Sequence, residues 1–413
     1  MDTRFRSFRL VCAPARFAAV ESLLEAEGFR FEPEPFSSYC RRLVFEPMPL
    51  GASLAAFFGY IYIQDRASML PPLALAPSAG AAVLDMAASP GSKSGFLGQL
   101  VGETGFVLAN EPNRARLGTL QANLLAANLL QCATSHFQGQ ALPLPDHSWN
   151  FILLDPPCSG WGTAARNPLA LKLWQGQKIA PLIELQRKLL ARAAALLAPG
   201  GRLVYSTCTT NPDENESQTE YAVKELGLEP LALEPFAGFK FKSAPHGALL
   251  VDGESSASQG FYISLLKRPQ EATRQDFAKC DFSAAEVGKA ELENAVCDPQ
   301  LLPPGKTALF GQKVRFLPEA ACSMLPPAFS WQAFPLGAFH GGKFKPERRL
   351  RILLPPPTQG VQCVVFDEIT PLRRLLEGSA LATPLASAAG LWWRDLPLGI
   401  CQIKNGRLLA SFR

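Results

Sequence analysis

Apolar positions along this chain change rhythm twice. Over residues 7–12 they fit a short strand. Over 15–27 they recur at helical spacing up to Gly28, which predicts a small α+β unit within residues 1–70. From about residue 80 to 268, short apolar runs alternate with longer amphipathic ones. The runs at 81–87, 105–110, 149–155 and 202–206 predict strands. A helix is expected from about Ser92, a second over 113–128, and a third over 179–197 closed by Pro199, Gly200 and Gly201. A later strand falls at 260–266. Strands alternating with helices predict an α/β unit over 71–268, with a parallel sheet covered on both faces. Charges and prolines over 267–280 read as a linker. Residues 275–413 lose the alternation, and their short apolar runs, the Pro355-Pro356-Pro357 triplet and the Trp392-Trp393 pair predict a separate, mostly β domain.

Composition narrows the class. At 413 residues the chain is long enough for two or three cores, and 47% hydrophobic against 18% charged residues excludes a disordered chain. No window reaches about 18 uninterrupted apolar residues, and the charged first 16 residues do not form a signal peptide, so a cytoplasmic protein without a membrane span is expected. The ten cysteines form no C-x-x-C pair and the four histidines show no ligand spacing, which argues for free thiols and against a metal site. Net charge is only +4. Between His340 and Arg413, however, eleven Lys and Arg less five acids leave a local +6, so any RNA-facing surface is expected there. Arg4, Arg6, Arg9, Arg41 and Arg42 are candidates for a second basic patch.

Candidate chemistry collects where strands of the α/β unit end. The first delivers Asp85-Met86-Ala87-Ala88-Ser89-Pro90-Gly91-Ser92-Lys93. Small residues there let backbone approach a ligand, and the following helix offers its N-terminal N–H groups. The spacing is neither G-x-G-x-x-G nor a P-loop. Glu111 ends the next strand, where a carboxylate can accept from ribose hydroxyls; alone it would pass for a turn residue, but with the preceding loop it marks a nucleoside site.

Two further loops carry Asp155-Pro156-Pro157-Cys158-Ser159-Gly160 and Tyr205-Ser206-Thr207-Cys208-Thr209. Adjacent strand ends in such a sheet would bring both thiols near one carboxylate. Methylation at C5 of a cytosine needs that set. A thiolate must add at C6 to make C5 nucleophilic, an acid near N3 favours the addition, and a base must remove the C5 proton before the thiolate leaves.

These segments resemble the bacterial ribosomal RNA cytosine-C5 methyltransferases of the RsmF type, within the Nop/Sun family. The family's A-A-P-G-x-K, D-P-P-C-S-G and S-T-C-T motifs are matched by 87–93, 155–160 and 206–209, and its N-x-x-E-N-E by Asn211, Glu214, Asn215 and Glu216. Residues 64–71, Gln186 and Gly260-Phe261-Tyr262 match as well. The resemblance implies a Rossmann-like class I sheet dependent on S-adenosylmethionine, with 1–70 as an N-terminal RNA-binding subdomain and 275–413 as a PUA-like RNA-binding domain. It implies Cys208 as nucleophile and Cys158 as the group that assists product release, with Asp155 and Lys93 completing the catalytic set. Cofactor contacts are implied for Ala87, Ala88, Ser89, Pro90, Gly91, Ser92, Lys93, Glu111, Arg116, Gln138 and Asp155. Gln138 stands where the family usually places an aspartate near the adenine, and the family's leading helical segment is missing or truncated.

The implied partner is ribosomal RNA, that of the small (16S) subunit, and the protein is expected to be a monomer without metal. Two alternatives stay open: a cytosine-C5 methyltransferase of transfer RNA, and a non-catalytic RNA-binding assembly factor. An amino-group methyltransferase fits less well, because Cys158 replaces the aromatic residue expected after Asp-Pro-Pro.

Overall fold

The protein is described by a computed structural model covering residues 6–164, 176–270, 284–358, 361–409 and 412; most of the expected linker over 267–280 lies outside these residues. Its centre is a ten-stranded mixed sheet. Five strands run parallel, in the spatial order Cys132–Ser135, Phe106–Asn110, Ala82–Asp85, Trp149–Leu154 and Leu197–Thr207. Beyond Leu197–Thr207, Phe261–Lys267 and its neighbours continue the sheet antiparallel. The predicted helices lie at Ser92–Val101, Arg114–Ala127 and Ala180–Leu196. This is the Rossmann-like sheet that the resemblance implied; the strand expected at 260–266 is present at Phe261–Lys267, and its antiparallel direction and the further edge strands were not revealed by the periodicity.

Local chemistry fixes the element ends. Asn113 caps Arg114–Ala127 by accepting from the N–H groups of Ala115 and Arg116, and Asn128, at φ 54°, terminates it in a left-handed turn. The expected turn at Pro199-Gly200-Gly201 is instead part of an eleven-residue strand, because Leu197 already pairs with Trp149 and a register shift before Phe151 absorbs the glycines. The Cys132–Ser135 strand was not anticipated. All four of its residues are buried, so it has no alternation to read.

Sequence-distant parts share cores. Strand Trp331–Gln332 pairs antiparallel with Cys132–Ser135 and so joins the central sheet. One hydrophobic cluster combines Phe8, Leu24, Phe29 and Phe58 with Leu372, Leu391, Trp393 and Phe412. Polar contacts reinforce it: the Tyr60 hydroxyl donates to the Pro397 carbonyl, and Arg373 pairs with buried Glu27. The fully buried Arg351 guanidinium donates to the carbonyls of Phe58 (2.8 Å), Gly59 (3.2 Å), Ala126 (2.7 Å) and Ala127 (3.1 Å). One cation thereby satisfies the carboxyl ends of Leu54–Phe57 and Arg114–Ala127. The rest of the C-terminal part is built on two five-stranded sheets.

The expected second basic patch does not form. Arg9 is fully buried against the rings of Tyr62 and Phe96, with one nitrogen on the Ser92 carbonyl. Arg6, Arg41 and Arg42 are ion-paired to Glu46, Glu21 and Glu32, so their charge is offset locally. Arg4 lies outside the described residues.

Candidate active site

Parallel pairing brings the functional loops to one edge. Leu154 is opposite Tyr205, so Asp155 emerges beside Ser206, and Asp85 lies one strand further on. Cys158 Sγ and Cys208 Sγ stand 3.3 Å apart. Lys93 Nζ donates to Asp155 Oδ2 at 2.6 Å, and the Ser206 hydroxyl donates to Asp155 Oδ1 at 2.9 Å. The four expected catalytic groups therefore share one half-buried site.

Its electrostatics distinguish the thiols. The hydrogen bond from Cys158 lowers the Cys208 pKa; burial and the Asp155 carboxylate oppose it, and the Lys93 ammonium adds a smaller lowering. Cys158 is raised because it holds the shared proton and is buried. Geometry alone allows either sulfur to donate; with Cys158 as the donor the charge rests on Cys208, where the Lys93 ammonium offsets part of the repulsion from Asp155. Burial works against a charged Lys93, and the Asp155 carboxylate outweighs it, leaving the lysine above its ordinary value.

Glu214, which the sequence reading matched to a motif without giving it a role, holds the two loops together. It is fully buried and accepts from the Ser159 N–H (2.9 Å), the Ser159 hydroxyl, Gln186 (2.9 Å) and Asn211 (3.2 Å). Gln186 also donates to the Pro157 carbonyl at 2.9 Å. Gly162 threads between the segments: its N–H reaches the Cys208 carbonyl at 3.0 Å, and an added Cβ would stand 2.2 Å from the Gly260 carbonyl oxygen. The Asn-x-x-Glu spacing was the available signal for Glu214, whereas nothing local marked Gly162.

The adjacent loop forms the candidate cofactor cradle. Gly91 turns at φ 101°, and an added Cβ would meet Leu120 at 2.9 Å, so only glycine fits there. Ser89 and Arg116 tie the loop down, the Ser89 hydroxyl donating to the Arg116 carbonyl (3.1 Å) and the Arg116 guanidinium to the Ser89 carbonyl (3.0 Å). Glu111 is buried, with one oxygen accepting from the Asn113 N–H at 2.8 Å and the other 3.6 Å from Arg116. Asn110, also unassigned by the sequence reading, bridges the Met86 and Phe137 carbonyls. Burial lifts Asp85 to about 6 even though Ser94 donates to it at 2.7 Å. Gln138 is exposed at the start of the short turn Gly139–Ala141 on this rim. The donor set suits a nucleoside with a charged amino-acid end: Glu111 for ribose hydroxyls, and the helix start at Ser92 for an anionic group. Among the described residues no group of three or more His, Cys, Asp or Glu is placed to hold a metal, and no helix is long and apolar enough to cross a membrane.

Known proteins share this arrangement. The family model of the 16S rRNA methyltransferases RsmB/F matches residues 72–267. A ribosomal RNA small subunit methyltransferase F of Shewanella sp. (strain ANA-3) is 34% identical over 277 residues, 65% of this chain and 57% of the relative. The chain thus spans little more than half the length of the curated relatives it matches. A methyltransferase homolog from Pyrococcus horikoshii is 30% identical, with a TM-score of 0.55 over 64% of this chain and 86% of that one. The structure of NSun6 from the same organism with SFG shares the fold, at 19% identity, a TM-score of 0.57 and coverage of 64% and 91%. The family match covers the sheet that carries the two thiols and the cofactor cradle, and residues 72–267 of the chain form a methyltransferase domain of the RsmB/F type.

Proposed function

We propose that this protein methylates C5 of a cytosine in the RNA of the small ribosomal subunit, through a covalent bond between Cys208 and C6. The observation that carries the reading is the 3.3 Å thiol pair beside the Lys93–Asp155 ion pair. S-adenosylmethionine, when bound, supplies a methyl group on a sulfonium. Ala87, Ala88, Ser89, Pro90, Gly91, Ser92, Lys93, Glu111, Arg116, Gln138 and Asp155 form its binding set in this reading. The family names support ribosomal RNA as partner, and the work is assigned to a monomer in the cytoplasm.

The residues divide the labour. Cys208, held as thiolate by the hydrogen bond from Cys158, adds to C6 and opens the C5–C6 double bond. Asp155, steadied by Lys93 and Ser206, faces the ring edge and manages the proton at N3. C5 then takes the methyl. Cys158 gives up the shared proton as the addition proceeds, passing it through Asp155 to N3; its thiolate, a strong base because of the raised pKa, then removes the C5 proton, the Cys208–C6 bond breaks, and the N3 proton is released. The sum is a methyl in and a proton out.

A denaturing gel after incubation with small-subunit rRNA and S-adenosylmethionine tests the assignment. Cys208→Ala should abolish methylation and give no protein–RNA adduct. Cys158→Ala should accumulate the adduct, because elimination slows. An adduct in the first variant, or none in the second, would overturn the roles.

A further inference from the structure

Away from the thiols, a cleft of about 1120 Å³ lies between the Arg114–Ala127 helix and a sheet of the C-terminal part. The chemistry of its walls follows from strand alternation. In Lys313–Pro318, Val314 and Phe316 enter the core while Lys313 and Arg315 point the other way; in Lys343–Pro346, Phe344 is buried between Lys343 and Lys345. Cross-strand register then sets Lys313, Ala338 and Lys345 in one row, since Ala338 pairs with both lysines. The two ammonium stems flank a small residue across two strand spacings, about 10 Å. His340 and Lys343 form the next pair on the same face. Lys313, Arg315, Lys343, Lys345 and Arg348 line the cleft, and Glu347 is the acid among its lining residues.

We propose that this cleft binds the phosphodiester backbone of the RNA substrate. The inference rests on the function proposed above and adds where the RNA is gripped. Phe334 and Phe344 border the cleft but are buried, leaving little ring face for stacking beside the exposed lysines. That chemistry reads phosphates, not bases. Ala338, the small residue between the two lysines, leaves the space between their stems free of a bulky side chain. Gln121 of the helix bonds Thr134 (3.0 Å) and Gln332 (2.9 Å), tying both walls to the same sheet edge, and Arg351 fixes the helix end, so the cleft is formed before ligand arrives. This edge lies five strand spacings, about 24 Å, from the strand that leads into Cys208, so an RNA seated here is anchored well outside the reacting nucleotide.

The test is a salt series of binding to transcribed small-subunit rRNA, with full-length protein. Lys313, Lys343 and Lys345 are exposed, so the triple variant Lys313→Gln/Lys343→Gln/Lys345→Gln should fold normally. Losing three phosphate contacts should reduce the slope of log affinity against log salt by about 2 to 3. The control Lys188→Gln/Lys224→Gln/Lys240→Gln, with the same change of charge elsewhere, should stay close to wild type. Equal slopes for the triple variant and wild type, or an equal drop in the control, would overturn the cleft while leaving the methylation reading intact. So would loss of binding to assembled subunits with naked RNA binding unchanged, which would make the partner a protein. Absence of RNA binding by the wild type would overturn both.

Discussion

Glu214 receives both the backbone N–H and the hydroxyl of Ser159, across 55 positions of sequence. Ser159 follows Cys158 directly, and Glu214 sits on the segment that continues from Cys208. The distance between the sulfurs is therefore set by a buried carboxylate that touches neither of them. The hydroxyl of Tyr205 donates to the Glu214 carbonyl at 2.7 Å and anchors that segment to its strand.

Replacing Glu214 by Gln should separate positioning from reactivity. An amide can accept from some of the four donors but turns its own N–H groups towards the rest, at a cost of about 1–3 kcal/mol. Thermal unfolding should show that loss. Elimination should suffer more than addition, so the denaturing gel should show a persistent adduct with Cys158 still present. A variant that loses stability but clears its adduct at the wild-type rate would reduce Glu214 to a structural role.

The lowered Cys208 pKa fixes the sign of a pH effect. The thiolate is the reactive form, so adduct formation rises as pH rises through that pKa, with its midpoint below the ordinary thiol value of about 8.5. Lys93→Met removes the stabilising charge and should move the midpoint upward as well as reduce the rate. Single-turnover rates between pH 6 and 9.5 check this. An unmoved midpoint would mean that Lys93 acts only on Asp155.

Arg351→Met should be among the most damaging single changes outside the site. Four carbonyls at two helix ends would lose their donor, and Tyr60 would lose the cation 4.3 Å above its ring. The expected loss is about 3–5 kcal/mol. Hydrogen exchange should quicken first at residues 54–60 and 124–128, before the strands beneath the thiols. Uniform exchange across the chain would argue against a local fastening role.

The site was more legible than its supports. Cys158, Cys208 and Asp155 follow strands in turns whose residue types already suggest the chemistry, and parallel pairing guarantees that such turns meet. Glu214 could be placed in a motif, yet its partner Ser159 lies on another loop, and only the folded register brings them together. Arg9, Arg349 and Arg351 looked like surface charge. Each is at least half-buried, Arg349 and Arg351 on backbone carbonyls that needed donors and Arg9 between aromatic rings, settings that cannot be read one residue at a time. Trp331–Gln332 is too short to show any period, and its place on the sheet edge depends on packing over a long stretch of chain. The apolar face of Phe8 and Leu10 was plain, but the pattern gives burial without naming what covers it.

That cover has a consequence during synthesis. Phe8, Leu24 and Phe29 pack against Leu391, Trp393 and Phe412, which leave the ribosome hundreds of residues later. At about 5–20 residues per second, the wait from Phe8 to Trp393 is roughly 20–80 s. The central sheet can close in that interval, whereas the strands around Phe8 and Phe29 keep part of their apolar face uncovered until residues 391–412 have emerged. The nascent protein is thus most open to chaperones, proteases and wrong partners at the strands that wait longest for their cover.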